Sequence, residues 1–126
     1  MCNSNKSGRI SSEIISNDPI ATDVYEMIVE CPEIVAQALA GQFVNLYCHH
    51  QGRLLPRPIS ICELDHANGR LHLIYAVLGN GTAEFSTYKQ GEVIDVMGPF
   101  GNGFDTSYEG DVVIVGGGVG LSLIHI

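Results

Sequence analysis

Basic residues are scarce in this chain: six Lys plus Arg stand against fourteen Asp plus Glu, giving a formal charge of -8. A field of that sign repels phosphate backbones and anionic headgroups, so neither nucleic acid nor a membrane is an expected partner. Long hydrophobic runs are missing too. None approaches the roughly 20 residues that cross a bilayer, and the polar opening, residues 1–12, lacks the charged-then-apolar layout of a secretory signal. A soluble, cytoplasmic protein is the expectation. Cysteine is sparse, and Cys2, Cys31, Cys48 and Cys62 form no Cys-x-x-Cys pair. Without that spacing no zinc or iron–sulfur site is expected, and the four read as free thiols. His49 and His50 are adjacent and His66 and His72 fall in or beside a turn, which reads as loop histidines rather than metal ligands. Repeats, low-complexity tracts and charged tails are absent from the sequence, and helical periodicity is rare.

What is present is β-type patterning. The 126 residues suit a single domain of about 100 to 150 residues, large enough for a core without metals or disulfides. Short alternating or β-branched runs, separated by Gly, Pro and Asn, predict strands over 8–16, 23–30, 42–49, 58–63, 70–77 and 92–97. Ala67-Asn68-Gly69 reads as the hairpin turn between the fourth and fifth. Six such strands fit a small closed barrel, which leaves no free sheet edge. Two helical pieces are expected, a weak one over 32–39 and a better one over 82–89, with Thr82 as its cap.

A polar stretch over 105–111 reads as a linker. Val112-Val113-Ile114-Val115 follows, an apolar run leading into Gly116-Gly117-Gly118-Val119-Gly120. Such a run predicts a strand buried on both faces of a parallel sheet, with the glycines turning the chain toward a helix that can hold a phosphate. The sequence stops six residues after Gly120, whereas a parallel pair needs a crossover of a dozen or more. The chain is therefore expected to be cut short, with 121–126 outside the pattern.

Three segments carry the chemistry. In Leu55-Pro56-Arg57-Pro58-Ile59-Ser60-Ile61, an arginine held extended by flanking prolines offers planar donors to a diphosphate, and Ser60 adds a hydroxyl and an N–H. The plain alternative is an edge strand with a solvated arginine. In Ile74-Tyr75-Ala76-Val77-Leu78-Gly79-Asn80-Gly81-Thr82, a strand enters a Gly-x-Gly-Thr turn and then a helix whose N-terminus favours a phosphate; the plain alternative is a capped turn. Val96-Met97-Gly98-Pro99-Phe100-Gly101-Asn102-Gly103-Phe104 closes the last strand with a Gly-Pro turn, or is structural punctuation only.

These three segments and the terminal glycine run, in this order, resemble the electron-transfer subunits of dihydroorotate dehydrogenase, a branch of the ferredoxin-reductase-like flavoproteins. The resemblance covers about residues 8–120. It implies a mainly β chain, with a six-stranded antiparallel Greek-key FAD-binding barrel over 1–107 and, over 108–126, the first strand of a truncated α/β, Rossmann-like NAD-binding domain. It sets Arg57, Pro58, Ile59 and Ser60 against FAD, with Arg57 toward the phosphates and Ser60 near the reactive edge of the flavin. Ile74, Tyr75 and Ala76 would line the cofactor from the next strand, and Gly81 and Thr82 would meet the diphosphate. Ile59 stands where the wider family often has Tyr, which suits the dihydroorotate branch. Ala76 and Asn80 stand where basic residues are common, leaving Arg57 as the chief phosphate charge. No catalytic side chain or metal ligand is implied.

For a full-length member the resemblance implies a relay in pyrimidine biosynthesis. Electrons pass from the FMN of a catalytic partner subunit, through a 2Fe-2S cluster and FAD, to NAD, within a heterotetramer. The cluster ligands are not in this sequence, so the 126 residues alone are expected to hold FAD but not to complete the relay. Two other functions remain open: the flavin subunit of another NAD(P)H-linked reductase, of the sulfide dehydrogenase or hydrogenase type, and a non-enzymatic flavin-binding barrel.

Overall fold

The computed structural model describes residues 3–4, 8–48 and 56–119. Its strands are β1 (Asn3–Ser4), β2 (Ile10–Ala21), β3 (Val24–Glu30), β4 (Phe43–Tyr47), β5 (Arg57–Asp65), β6 (Arg70–Ala76) and β7 (Val93–Phe100), with short helices α1 (Pro32–Val35) and α2 (Asn80–Phe85). Every pairing is antiparallel, in the order β1-β2-β3-β6-β5-β4-β7. Pairing of β2 with β7, from Ile10↔Val96 to Glu13↔Val93, closes the last six strands into a barrel. Three successive hairpin-connected strands, β4, β5 and β6, with β3 returning beside β6, make a Greek key.

Alternation along the strands builds the interior. Met27 and Val29, Val44 and Leu46, Leu71 and Leu73, and Ile94 and Val96 are fully buried, while the residue between the two of each pair is only partly buried. Two turns set the register. Asp23 takes a positive φ of 56° between β2 and β3, a conformation that Asp tolerates better than most residues. In the β5–β6 turn Gly69 has φ 68°, while Asn68 donates to the Asp65 carboxylate through its N–H at 3.1 Å and its amide at 2.9 Å. α1 adds Ile34 and Val35 to the core. α2 inserts Phe85, which meets the Tyr75 ring edge-on at 6.1 Å.

The six expected strands are all present, but several boundaries move. β2 continues past Ser16 to Ala21, accommodating register shifts on the way. β7 continues through the expected Gly98-Pro99 turn to Phe100, because one extra residue forms a bulge there, Gly98 and Pro99 facing Val44 between the pairs Phe43↔Phe100 and Asn45↔Met97. Gly98, at φ 154°, presses against β4 there; a Cβ at that position would sit 3.0 Å from Val44 Cγ1. α1 stops at Val35, short of the expected 39.

α2 starts two residues early and ends at Phe85. The hydroxyls of Ser86 and Thr87 donate to the carbonyls of Ala83 and Glu84, both at 2.6 Å, and the backbone tightens into i→i+3 bonds. The expected strand at Val112, Val113, Ile114 and Val115 does not form. All four are exposed, Val115 at 93%, because among the described residues no neighbouring strand offers them a ladder. His49, His50, Leu55, Gly120 and 121–126 lie outside the described residues, as does Cys2. Cys31, Cys48 and Cys62 are free thiols. No helix among the described residues is long and apolar enough to cross a membrane.

Candidate cofactor-binding cleft

The β5–β6 ladder runs from Asp65↔Arg70 to Ile61↔Leu73 and ends there. Beyond that point β5 stays paired with β4, from Ser60↔Phe43 to Arg57↔Leu46, and β6 stays paired with β3, from Ile74↔Glu26 to Ala76↔Val24. Each strand therefore turns an unladdered edge of backbone donors and acceptors toward the other. An open cleft of about 230 Å³ lies at this end, walled by Arg57, Pro58, Ile59 and Ser60 from β5, Ile74, Tyr75 and Ala76 from β6, then Leu78, Thr82 and Val119. Its volume is below the several hundred Å³ of an enclosing ligand pocket, which suits an extended ligand that lies only partly inside.

Arg57 lies across the first turn of α2. A Cβ added to Gly81 would collide with Arg57 Nε and stand 3.1 Å from its Cγ, so only glycine at 81 lets the arginine stem rest there. The N-cap of α2 is Gly79, not Thr82 as the sequence suggests. Thr82 sits at the third helical position and reaches back: its Oγ1 accepts the N–H groups of Leu78 at 2.9 Å and Gly79 at 3.1 Å. That hydroxyl fixes the turn between β6 and α2, and the next N–H groups, at the helix start, are left for other acceptors. On the other side Cys48 donates its thiol to the Gly81 carbonyl at 3.8 Å.

The charge of the cleft runs against that of the whole chain. Among the described residues lining it there is one cation, Arg57, and no carboxylate. Of the other described cations, Arg9 lies over the Tyr47 ring at 3.7 Å, Arg70 faces Glu30 at 3.9 Å and Lys89 borders a separate cleft. An anionic group is therefore drawn to Arg57 in a chain that otherwise repels it.

Eight of the nine residues expected from the sequence line the cleft, and the ninth, Gly81, lies beneath Arg57. They do not all present side chains. Tyr75 is 2% exposed, stacked on Tyr25 at 5.8 Å, and its hydroxyl donates to Asn17 Oδ1 at 2.8 Å. Burial pushes its pKa well above the usual range, the Asn17 hydrogen bond opposing it. With the ring in the core, Tyr75 offers the cleft its main chain only. Ile59 is likewise 9% exposed and packs into the core from the cleft floor.

Asn17, Leu78 and Val119 were not singled out from the sequence. The Asn17 amide donates to the carbonyls of Phe85 at 2.7 Å and Tyr88 at 3.0 Å, so it ties Tyr75 to α2 and holds the helix against the barrel. No sequence signal marks it. Leu78 lies inside the glycine-turn segment, where an apolar residue between a strand and Gly79 is the visible clue.

The family model for the oxidoreductase FAD-binding domain matches residues 10–104. The chain is 46% identical over 112 residues to the dihydroorotate dehydrogenase B (NAD(+)) electron transfer subunit of Streptococcus pneumoniae, covering 86% of this chain and 43% of that one. The subunit of the same name from Enterococcus faecalis is 40% identical over 115 residues, 89% of this chain and 44% of that one. The chain thus spans less than half the length of the curated relatives it matches. Among solved structures, an NADH-dependent reduced ferredoxin-NADP oxidoreductase superposes with a TM-score of 0.70 at 32% identity, over 75% of this chain and 34% of the other. Phthalate dioxygenase reductase shares the fold, with a TM-score of 0.64 at 20% identity, over 80% of this chain and 33% of the other.

Proposed function

The chain belongs to the oxidoreductase FAD-binding domain family, and from that membership we propose that its barrel, residues 1–107, holds FAD as the flavin half of an electron-transfer subunit. The observation that carries this reading is the seating of Arg57 on Gly81, which brings the cleft's one described cation to the first turn of α2. Arg57 and the N–H groups of Gly81 and Thr82 would take the diphosphate. The flavin ring would lie toward Ser60 and Ile74, where the parted edges of β5 and β6 offer main-chain hydrogen bonds to its polar rim. Bound there, FAD supplies hydride and single-electron exchange. The chain's part is to hold the ring's orientation, to cover one face with Ile74 and Ala76, and to set Ser60 beside its polar edge.

In the longer protein, this subunit would pass electrons between a catalytic, FMN-containing dihydroorotate dehydrogenase subunit, a 2Fe-2S cluster and NAD, in a cytoplasmic heterotetramer. Residues 108–126 would open the NAD-binding unit. The names and identities of the relatives support this assignment over other NAD(P)H-linked reductases. Titrating the chain with FAD and with FMN, followed by quenching of flavin fluorescence, tests the site. Tighter binding of FAD is expected; equal affinity removes the case for a diphosphate site.

A further inference from the structure

Among the described residues lining the cleft, Leu78 is the most exposed large apolar side chain in place beside it, at 88%. Its backbone is not loose. Its N–H donates to Thr82 Oγ1 at 2.9 Å, and the preceding Val77 N–H donates to the Asp23 carbonyl at 2.8 Å. A fixed, uncovered leucine at the rim of a polar-edged cleft presents apolar surface that a ligand ring can remove from water.

Strand direction says which ring. Past Ile61↔Leu73 the antiparallel ladder stops, but β5 leads back from Ser60 to Arg57 while β6 leads on from Ile74 to Ala76, and Arg57 rests on Gly81 in the first turn of α2. Leu78, between Ala76 and α2, therefore lies at the Arg57 end of the cleft, away from Ser60. A dinucleotide with its diphosphate at Arg57 and one ring at Ser60 must send its other ring past Arg57, where Leu78 stands.

We infer that Leu78 is a specificity-determining contact for the adenosine half of the bound dinucleotide, an assignment that rests on the FAD reading above. It gives the site a second reason to prefer FAD over FMN, since only FAD reaches beyond the phosphates.

The test compares Leu78→Ser and Leu78→Met with the parent chain, each titrated with FAD and with FMN. Circular dichroism checks the fold, which an exposed side chain should leave intact. Leu78→Ser should weaken FAD binding about tenfold and leave FMN unchanged, while Leu78→Met keeps the parental FAD affinity. Equal weakening of both flavins would place Leu78 against the flavin ring, and unchanged FAD affinity would place it outside the ligand; either overturns the inference while FAD binding stands. Failure of the parent chain to bind FAD would overturn the FAD reading itself, and the inference with it.

Discussion

Replacing Arg57 by Ala removes the cation of the cleft while leaving the barrel in place. The side chain is half-buried and rests on Gly81, away from the core, so the variant should fold like the parent. Its loss should cost FAD binding about 1.5 to 3 kcal/mol, the range for a hydrogen bond to a charged group, or roughly ten- to a hundredfold in Kd. Lys89→Ala is the control, because Lys89 borders the other cleft and carries the same charge. Isothermal titration at two salt concentrations adds a second readout: salt should weaken the parent more than Arg57→Ala, since screening acts on the interaction that the variant lacks. If Arg57→Ala and Lys89→Ala both bind FAD like the parent, Arg57 is a solvated edge residue and the diphosphate does not lie there.

Gly81→Ala should separate stability from binding. Alanine in a helix gains up to about 1 kcal/mol over glycine, yet its Cβ would displace Arg57, so FAD affinity should fall with the urea midpoint unchanged or higher. Tyr75→Phe should do the reverse, costing about 1 to 2 kcal/mol in urea unfolding by orphaning Asn17 Oδ1, with FAD affinity unchanged because the ring faces the core. Tyr75 also predicts a pH effect. Its folded pKa is raised above an unfolded value of about 10, so the unfolded chain loses the proton first and stability falls as pH rises past about 10. Tyr75→Phe should flatten that decline. Gly98→Ala should destabilise the barrel by about 1 kcal/mol or more, since the added Cβ meets Val44 at a positive φ.

The sequence was most legible where local rules and the fold agree. Alternation marked all six barrel strands because each has one face in the core, and Asn68-Gly69 marked its hairpin because the turn demands a positive φ at Gly69. Strand ends were less legible. β7 runs through Gly98-Pro99 because a bulge opposite Val44 absorbs residues that look like a turn, and only the partner strand reveals that. Helix α2 was misplaced because Thr82 looks like an N-cap; its hydroxyl in fact reaches back to Leu78 and Gly79.

The site was legible as motif order rather than as geometry. Sequence brought Arg57 and Gly81 into one site but could not show that the arginine stem lies on the glycine. Nor could it show that Tyr75 turns its ring inward, which depends on the parity of β6. Asn17 was invisible, since its role depends on a helix 68 residues away.

A crystal structure of the chain with FAD bound is the measurement that bears most directly on the diphosphate site. The diphosphate should lie within hydrogen-bond reach of the Arg57 guanidinium and the first N–H groups of α2, with the flavin ring between Ser60 and Ile74. Density for FAD in the cleft beside Lys89, or a diphosphate turned away from Arg57 into solvent, would contradict it.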